Sequence, residues 1–174
     1  MNSRSFLSRT SYAVLLCAIA LLGTTVFAQT PKPAPDLGDF SGMYSFLHDG
    51  EFVQITLDEL PTAAKSKVSV SGFVSRFGQS DSDKDQVLDL MFKNGLLEKQ
   101  AITFATKSIH GLSYEFTGMV RRGDAKSKDK EGYFVIEGTL TENAVDKNGK
   151  PRTQTREITM KSFPNLDEAD QQNY

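Results

Sequence analysis

Between residues 40 and 163 the chain alternates apolar and polar positions with a period of two, the spacing of strands that bury one face. Glu51–Leu57 sets Val53, Ile55 and Leu57 on one side. Lys67–Phe77 alternates Val with Ser in its first half. Ala101–Thr106 sets Ile102 and Phe104 together, and Leu112–Arg121 does the same with Leu112, Tyr114, Phe116 and Val120. Gly132–Thr141 aligns Phe134, Ile136 and Leu140, while Thr153–Ser162 aligns Ile158 and Met160. A weaker alternation runs over Gly42–Leu47. β-Branched and aromatic residues are enriched in these runs, as a half-buried pleated surface favours.

The joints between runs are turn-like. Asp49-Gly50, His110-Gly111 and Asp146–Gly149 place glycine or an acid where positive φ is needed. Arg122–Lys130 is a charged loop. Short links between neighbouring runs favour an antiparallel meander over parallel crossovers. One stretch departs from the pattern. Residues 82–93 carry Val87, Leu88, Met91 and Phe92 at helical spacing, with Ser82 and Asp85 placed as a capping box and Gly95 as a stop. A short helix is expected there, either capping the core or lying as a lid over a ligand site. The fold class that follows is all-β, an antiparallel meander of about seven or eight strands. A sandwich leaves edges that must be blunted, whereas a closed or nearly closed barrel does not. Gly72, Gly118 and Gly138 fall in mid-strand, where glycine marks a bend or a close approach, and this favours the barrel. An eighth strand is sought in Pro61–Ser66 or Gly95–Gln100.

The ends of the chain read differently. Arg4 and Arg9 precede the apolar run Tyr12–Gly23, and Val26 and Ala28 stand where a leader is cut. Residues 1–28 therefore read as a secretory signal peptide, the apolar part being shorter than the roughly 20 residues of a spanning anchor. Leu16 before Cys17 is too large for lipidation of that cysteine. Residues 29–39, with Pro31, Pro33 and Pro35, read as an extended linker, 40–163 as the barrel domain and 164–174 as a disordered tail. Cleavage removes Arg4 and Arg9 and no acid, so net charge moves from −2 to −4. It also removes Cys17, the only cysteine, leaving a fold that rests on packing without disulfides. With no Asn-x-Ser/Thr acceptor in the mature chain, these features point to a secreted or periplasmic protein of a bacterial envelope. Mild acidity argues against nucleic acid as a partner, and no later apolar stretch spans a membrane.

Gly42-Met43-Tyr44 resembles the Gly-x-aromatic opening of calycin barrels, the lipocalin and avidin group. In lipocalins that aromatic is a tryptophan at the closed end, crossed by an arginine from the last strand. The resemblance implies barrel topology, with Arg156 packed across Tyr44 by a cation–π contact. The chain has no tryptophan, and no ligand residues carry over.

Candidate chemistry is sparse. The mature chain offers His48 and His110, both at turns, and no Gly-x-Ser-x-Gly elbow, so no catalytic residue is assigned and no cofactor is expected. Asp81, Asp83 and Asp85 are spaced as in a calcium loop, but Gln86 and Phe92 replace the glycine and glutamate such a loop uses. The same acids would also stabilise a helix start with no ion bound. Tyr44, Phe104, Tyr114 and Phe116 are the candidate ligand-binding aromatics, because an eight-stranded barrel either fills its interior or lines a small cavity. The leading expectation is a non-enzymatic barrel binding a small apolar ligand or a protein partner. The alternatives are an envelope enzyme acting on polysaccharide through Glu115, Glu137 or Glu157, and a structural or assembly module.

Overall fold

Eight strands follow one another along the chain: β1 (Gly42–Ser45), β2 (Phe52–Leu57), β3 (Lys67–Phe77), β4 (Val87–Glu98), β5 (Ala101–Thr106), β6 (Ser113–Arg122), β7 (Phe134–Val145) and β8 (Pro151–Lys161). The computed structural model describes residues 37–62, 66–78, 83–84, 86–146 and 148–165. The expected signal peptide, nearly all of the proline-rich linker and most of the expected tail lie outside the described residues. Each strand pairs antiparallel with the next, so the sheet order is the chain order. The sheet curls into a half-barrel, and the described residues contain no helix.

Every strand but the first half of β8 contributes its inward positions to one core. Val53 and Ile55 of β2, Val74 of β3, Leu90 and Leu97 of β4, Ile102 of β5, Tyr114 and Val120 of β6, Ile136 and Leu140 of β7, and Met160 of β8 are all fully buried. The alternation that predicted the strands is therefore the alternation of core and surface. Phe104 stacks between Phe92 at 4.5 Å and Phe116 at 5.2 Å, forming an aromatic column in the middle of the interior.

From Val87 on, the expected helix is replaced by β4, while its capping box of Ser82 and Asp85 lies outside the described residues. Leu88 and Leu90 point inward, whereas Val87 and Met91 are exposed on the other face. A strand with apolar residues on both faces mimics helical spacing. A register shift between Phe92 and Asn94 adds to the illusion by changing which parity faces the core, so that Leu97 is buried where an even position would be expected. The eighth strand sought near Gly95 is the second half of this β4.

Curvature comes from the glycines. Gly118 and Gly138 sit opposite each other across β6 and β7. A methyl group on Gly138 would collide with the backbone of Thr117 and Gly118, and one on Gly118 with Glu137 carbonyl and the Phe116 ring. Gly72 lies equally close to the Gln54 carbonyl. These approaches let neighbouring strands coil tightly. Gly42 opens β1 with φ +155°. At the β5–β6 turn His110 and Gly111 take φ of 49° and 80°, the double positive φ of a two-residue hairpin, closed by Ile109–Leu112 hydrogen bonds of 2.8 and 2.9 Å.

The first and last strands meet only briefly. Tyr44 bridges Ser162, Phe163 N donates to Met43 O at 2.8 Å, and Lys161 N donates to Ser45 Oγ at 3.0 Å. β1 stops at Ser45, and Phe46 N then turns inward to Glu51 O. Residues 151–159 of β8 have β7 on one side and no described strand on the other.

Candidate functional site

The turns after β1, β3, β5 and β7 gather at one end of the sheet, and the inward face there changes character. On β3, β7 and β8, and just before β2, the period that buries Val74, Leu140, Met160 and Val53 also carries Arg76, Glu142, Arg156 and Glu51 to the inside. Tyr114 arrives by the same phase on β6.

These five side chains form one network. Arg76 Nη1 donates to the Tyr114 hydroxyl and lies 3.4 Å from Glu142 Oε2. The Tyr114 hydroxyl donates to Glu142 Oε2 at 3.2 Å. Arg76 Nε lies 3.7 Å from Glu51 Oε1, and Arg156 Nη2 lies 3.6 Å from Glu142 Oε2. Glu51 Oε1 also accepts from Phe77 N at 3.2 Å. Phe46 meets the Tyr114 ring edge-on at 5.3 Å. Side-chain exposure rises across the network, from 1% at Glu51 and 2% at Arg76 to 16% at Glu142 and 32% at Arg156, so it runs from the core to the solvent.

Two arginines and two glutamates balance in charge, but hydrogen bonding is incomplete. Glu51 Oε2 and Arg156 Nε are buried and have no partner among the described residues. A buried polar atom without a partner costs about 1–3 kcal/mol, more when it is charged. An acceptor and a donor thus stand unpaired, one at each end of the network. Phe46, Leu47, Ile109, Leu112 and Ile158 are partly buried and packed on the core, and Phe46 among them touches the network through Tyr114.

The aromatics expected to line a ligand site do not share one location. Tyr114 belongs to the network, whereas Phe104 and Phe116 are core residues in the aromatic column. Tyr44 lies at the opposite end and donates from its hydroxyl to Phe40 O at 2.5 Å, and burial pushes its phenol pKa far up. Nor does Arg156 cross Tyr44. Its strand partner is Leu140, while Tyr44 sits beside Ser162, six residues and about 20 Å further along β8. The arginine that covers aromatics at the Tyr44 end is Arg122 of β6, with its guanidinium 4.3 Å from the Tyr133 ring and 4.4 Å from Phe134. Arg122 also donates to Leu37 O at 3.0 Å. A hollow of about 360 Å³ opens at this end, lined by Ser41, Met43, Gln54, Lys128 and Phe163 among others, without a buried ionised side chain.

Of the calcium candidates, Asp81 and Asp85 lie outside the described residues. Asp83 is buried, and its Oδ1 lies 2.8 Å from His110 Nδ1, tying the β3–β4 connection to the β5–β6 turn. No three histidine, aspartate or glutamate side chains converge on one point among the described residues. Glu115, Glu137 and Glu157 all stand on the outer face of the wall. Glu137 pairs with Arg121 at 2.5 Å, which holds its carboxyl below the usual range, and Glu157 accepts from Thr139 at 2.6 Å. These three do not face one another across a cleft.

Compared with protein families, curated proteins and solved structures, the chain shows no match.

Sequence reasoning placed Arg156 and Tyr114 on strands but missed the network they belong to. The signal was present: a charged residue in phase with the apolar set, on β3, β7 and β8 and just before β2.

Proposed function

We propose that this chain is an exported, non-enzymatic binding barrel that takes a small amphipathic molecule at its charged end. The apolar leader and the absence of cysteine from the mature sequence support export to a periplasm or beyond. The brief bridge between Tyr44 and Ser162 and the calycin-like opening at Gly42–Tyr44 support reading the curled sheet as a barrel. The observation that carries the reading is the buried network in which Glu51 Oε2 and Arg156 Nε lack partners. A ligand bearing an acceptor for Arg156 and a donor for Glu51 removes both deficits, while its apolar body rests against Phe46, Leu47, Ile109 and Ile158. Partner loss in such sites discriminates strongly, because an analogue lacking the polar group leaves buried atoms exposed to that cost.

Anilinonaphthalene sulfonate, an apolar ring system with an anionic acceptor, is a direct probe. Its fluorescence rises on binding to the folded mature chain, and Arg156→Ala weakens binding about tenfold while circular dichroism stays unchanged, the loss of one charge-assisted contact. Equal binding by wild type and the Arg156→Ala variant would overturn the assignment of the site. Native mass spectrometry of protein from an exporting host then identifies the resident ligand.

A further inference from the structure

The outer edge of β8 presents backbone groups that no described strand satisfies. Ser162 exchanges hydrogen bonds with β7, donating to Phe134 O at 2.9 Å and accepting from Gly132 N at 2.8 Å. Its neighbours Lys161 and Phe163 point their amides the other way, to Ser45 Oγ and Met43 O. The β7–β8 register runs without a shift from Val135–Lys161 to Val145–Pro151. The alternation therefore continues, and Thr153, Thr155, Glu157 and Thr159 aim their N–H and C=O groups at the open edge. Seven residues, Thr153 to Thr159, give an edge of about 23 Å.

Edge strands in stable proteins are normally blunted. Pro151 and the exposed Glu157 do part of that work here. They do not account for the inward face of the same strand. There Arg152, Gln154, Arg156 and Ile158 line the gap left where β1 ends, and Arg156 Nε is buried without a partner. Arg152 and Arg156 lie four residues apart, with Glu142 the carboxylate that reaches Arg156.

We infer that the open edge of β8 captures an extended acidic peptide by β-strand addition, the peptide filling the gap in the wall beyond β1. Main-chain bonds to Thr153, Thr155, Glu157 and Thr159 supply affinity, and alternate side chains supply specificity. Running antiparallel to β8, the peptide places an apolar side chain opposite Ile158, an Asp or Glu two residues later opposite Arg156, and a second acid four residues after that opposite Arg152. A second copy of β8 is the wrong occupant. Paired with itself, the strand gathers four arginines on one inner strip, and like charges across a sheet are destabilising. The inference goes beyond the ligand proposed above: it shares Arg156 with that ligand and adds backbone groups that the ligand does not touch.

The test uses the full mature chain and a fluorescein-labelled peptide, Thr-Val-Thr-Glu-Thr-Thr-Thr-Glu-Thr, followed by anisotropy. Wild type binds it, and affinity falls as salt rises. Thr155→Pro removes an outward N–H without touching the β7 ladder, and weakens binding about tenfold or more. Arg156→Gln does the same. A peptide N-methylated at the amides facing β8, or one with Lys for both Glu, does not bind. This arm holds whether or not the proline variant folds. Thr155→Pro leaves anilinonaphthalene sulfonate binding intact, which separates this edge from the interior site. Absence of binding by wild type, equal binding of the Lys peptide, or a dimer in light scattering that Thr155→Pro abolishes would each overturn the inference.

Discussion

Tyr44 and Tyr114 are both fully buried, inward-facing tyrosines at opposite ends of the same curled sheet, yet they are satisfied by different chemistry. Tyr44 gives its proton to the backbone carbonyl of Phe40, four residues away, and the nearby Arg122 rests on aromatic faces and on the Leu37 carbonyl. Tyr114 lies between the Arg76 guanidinium and the Glu142 carboxylate. Backbone partners are fixed by the fold and cannot be re-addressed. Side-chain partners can exchange one hydrogen bond for another. The first end is thus held by backbone partners, and the second by side chains that can exchange theirs.

The sharpest way to break this contrast is at Arg76. Arg76→Ala leaves Glu51 buried and uncompensated, and costs about 3–5 kcal/mol in chemical denaturation. Replacing both partners, Arg76→Met with Glu51→Gln, returns most of that stability, because the expense lies in the orphaned charge. If the single and double variants are equally unstable, the network is not the source of the cost. A smaller effect separates the tyrosines. Tyr44→Phe deletes one donor and leaves the Phe40 carbonyl without its partner, costing about 1–2 kcal/mol at neutral pH. Tyr114→Phe costs a similar amount but also weakens binding of the anionic probe, which Tyr44→Phe leaves alone. Smallest is an alkaline effect. Burial raises the Tyr44 phenol above its ordinary 10.0. The unfolded chain therefore loses that proton first as pH rises. The contribution is complete below pH 10.0 and declines above it. Denaturant midpoints taken from about pH 9 to about pH 11 fall less steeply in Tyr44→Phe than in wild type.

Much of this architecture could be read from periodicity. Val53, Ile55 and Leu57, or Tyr114, Phe116 and Val120, share a face in the sequence and share a core in the fold. The local signals at Asp49-Gly50 and His110-Gly111 fixed the hairpins, because few residues accept positive φ. Residues 87–92 defeated the same reasoning. Apolar side chains on both faces carry no period of two, and the shift near Asn94 is a backbone event with no side-chain signature. The Arg156 assignment failed for a different reason. A strand pattern gives the face of a residue but not its height in the wall, and height is what separates Glu142 from Tyr44 as its neighbour. Height follows from register, which only the pairing of whole strands determines.

The chain-order arrangement of strands governs how the molecule assembles. Each hairpin closes over a short stretch of sequence, whereas the link between Tyr44 and Ser162 must bring nearly opposite ends of the domain together. Ring closure over long separations carries the larger entropic penalty, so zippering proceeds strand by strand and that junction forms last. By the same logic it is the first place to come apart, which makes the boundary between the first and last strands the natural breathing line of this protein.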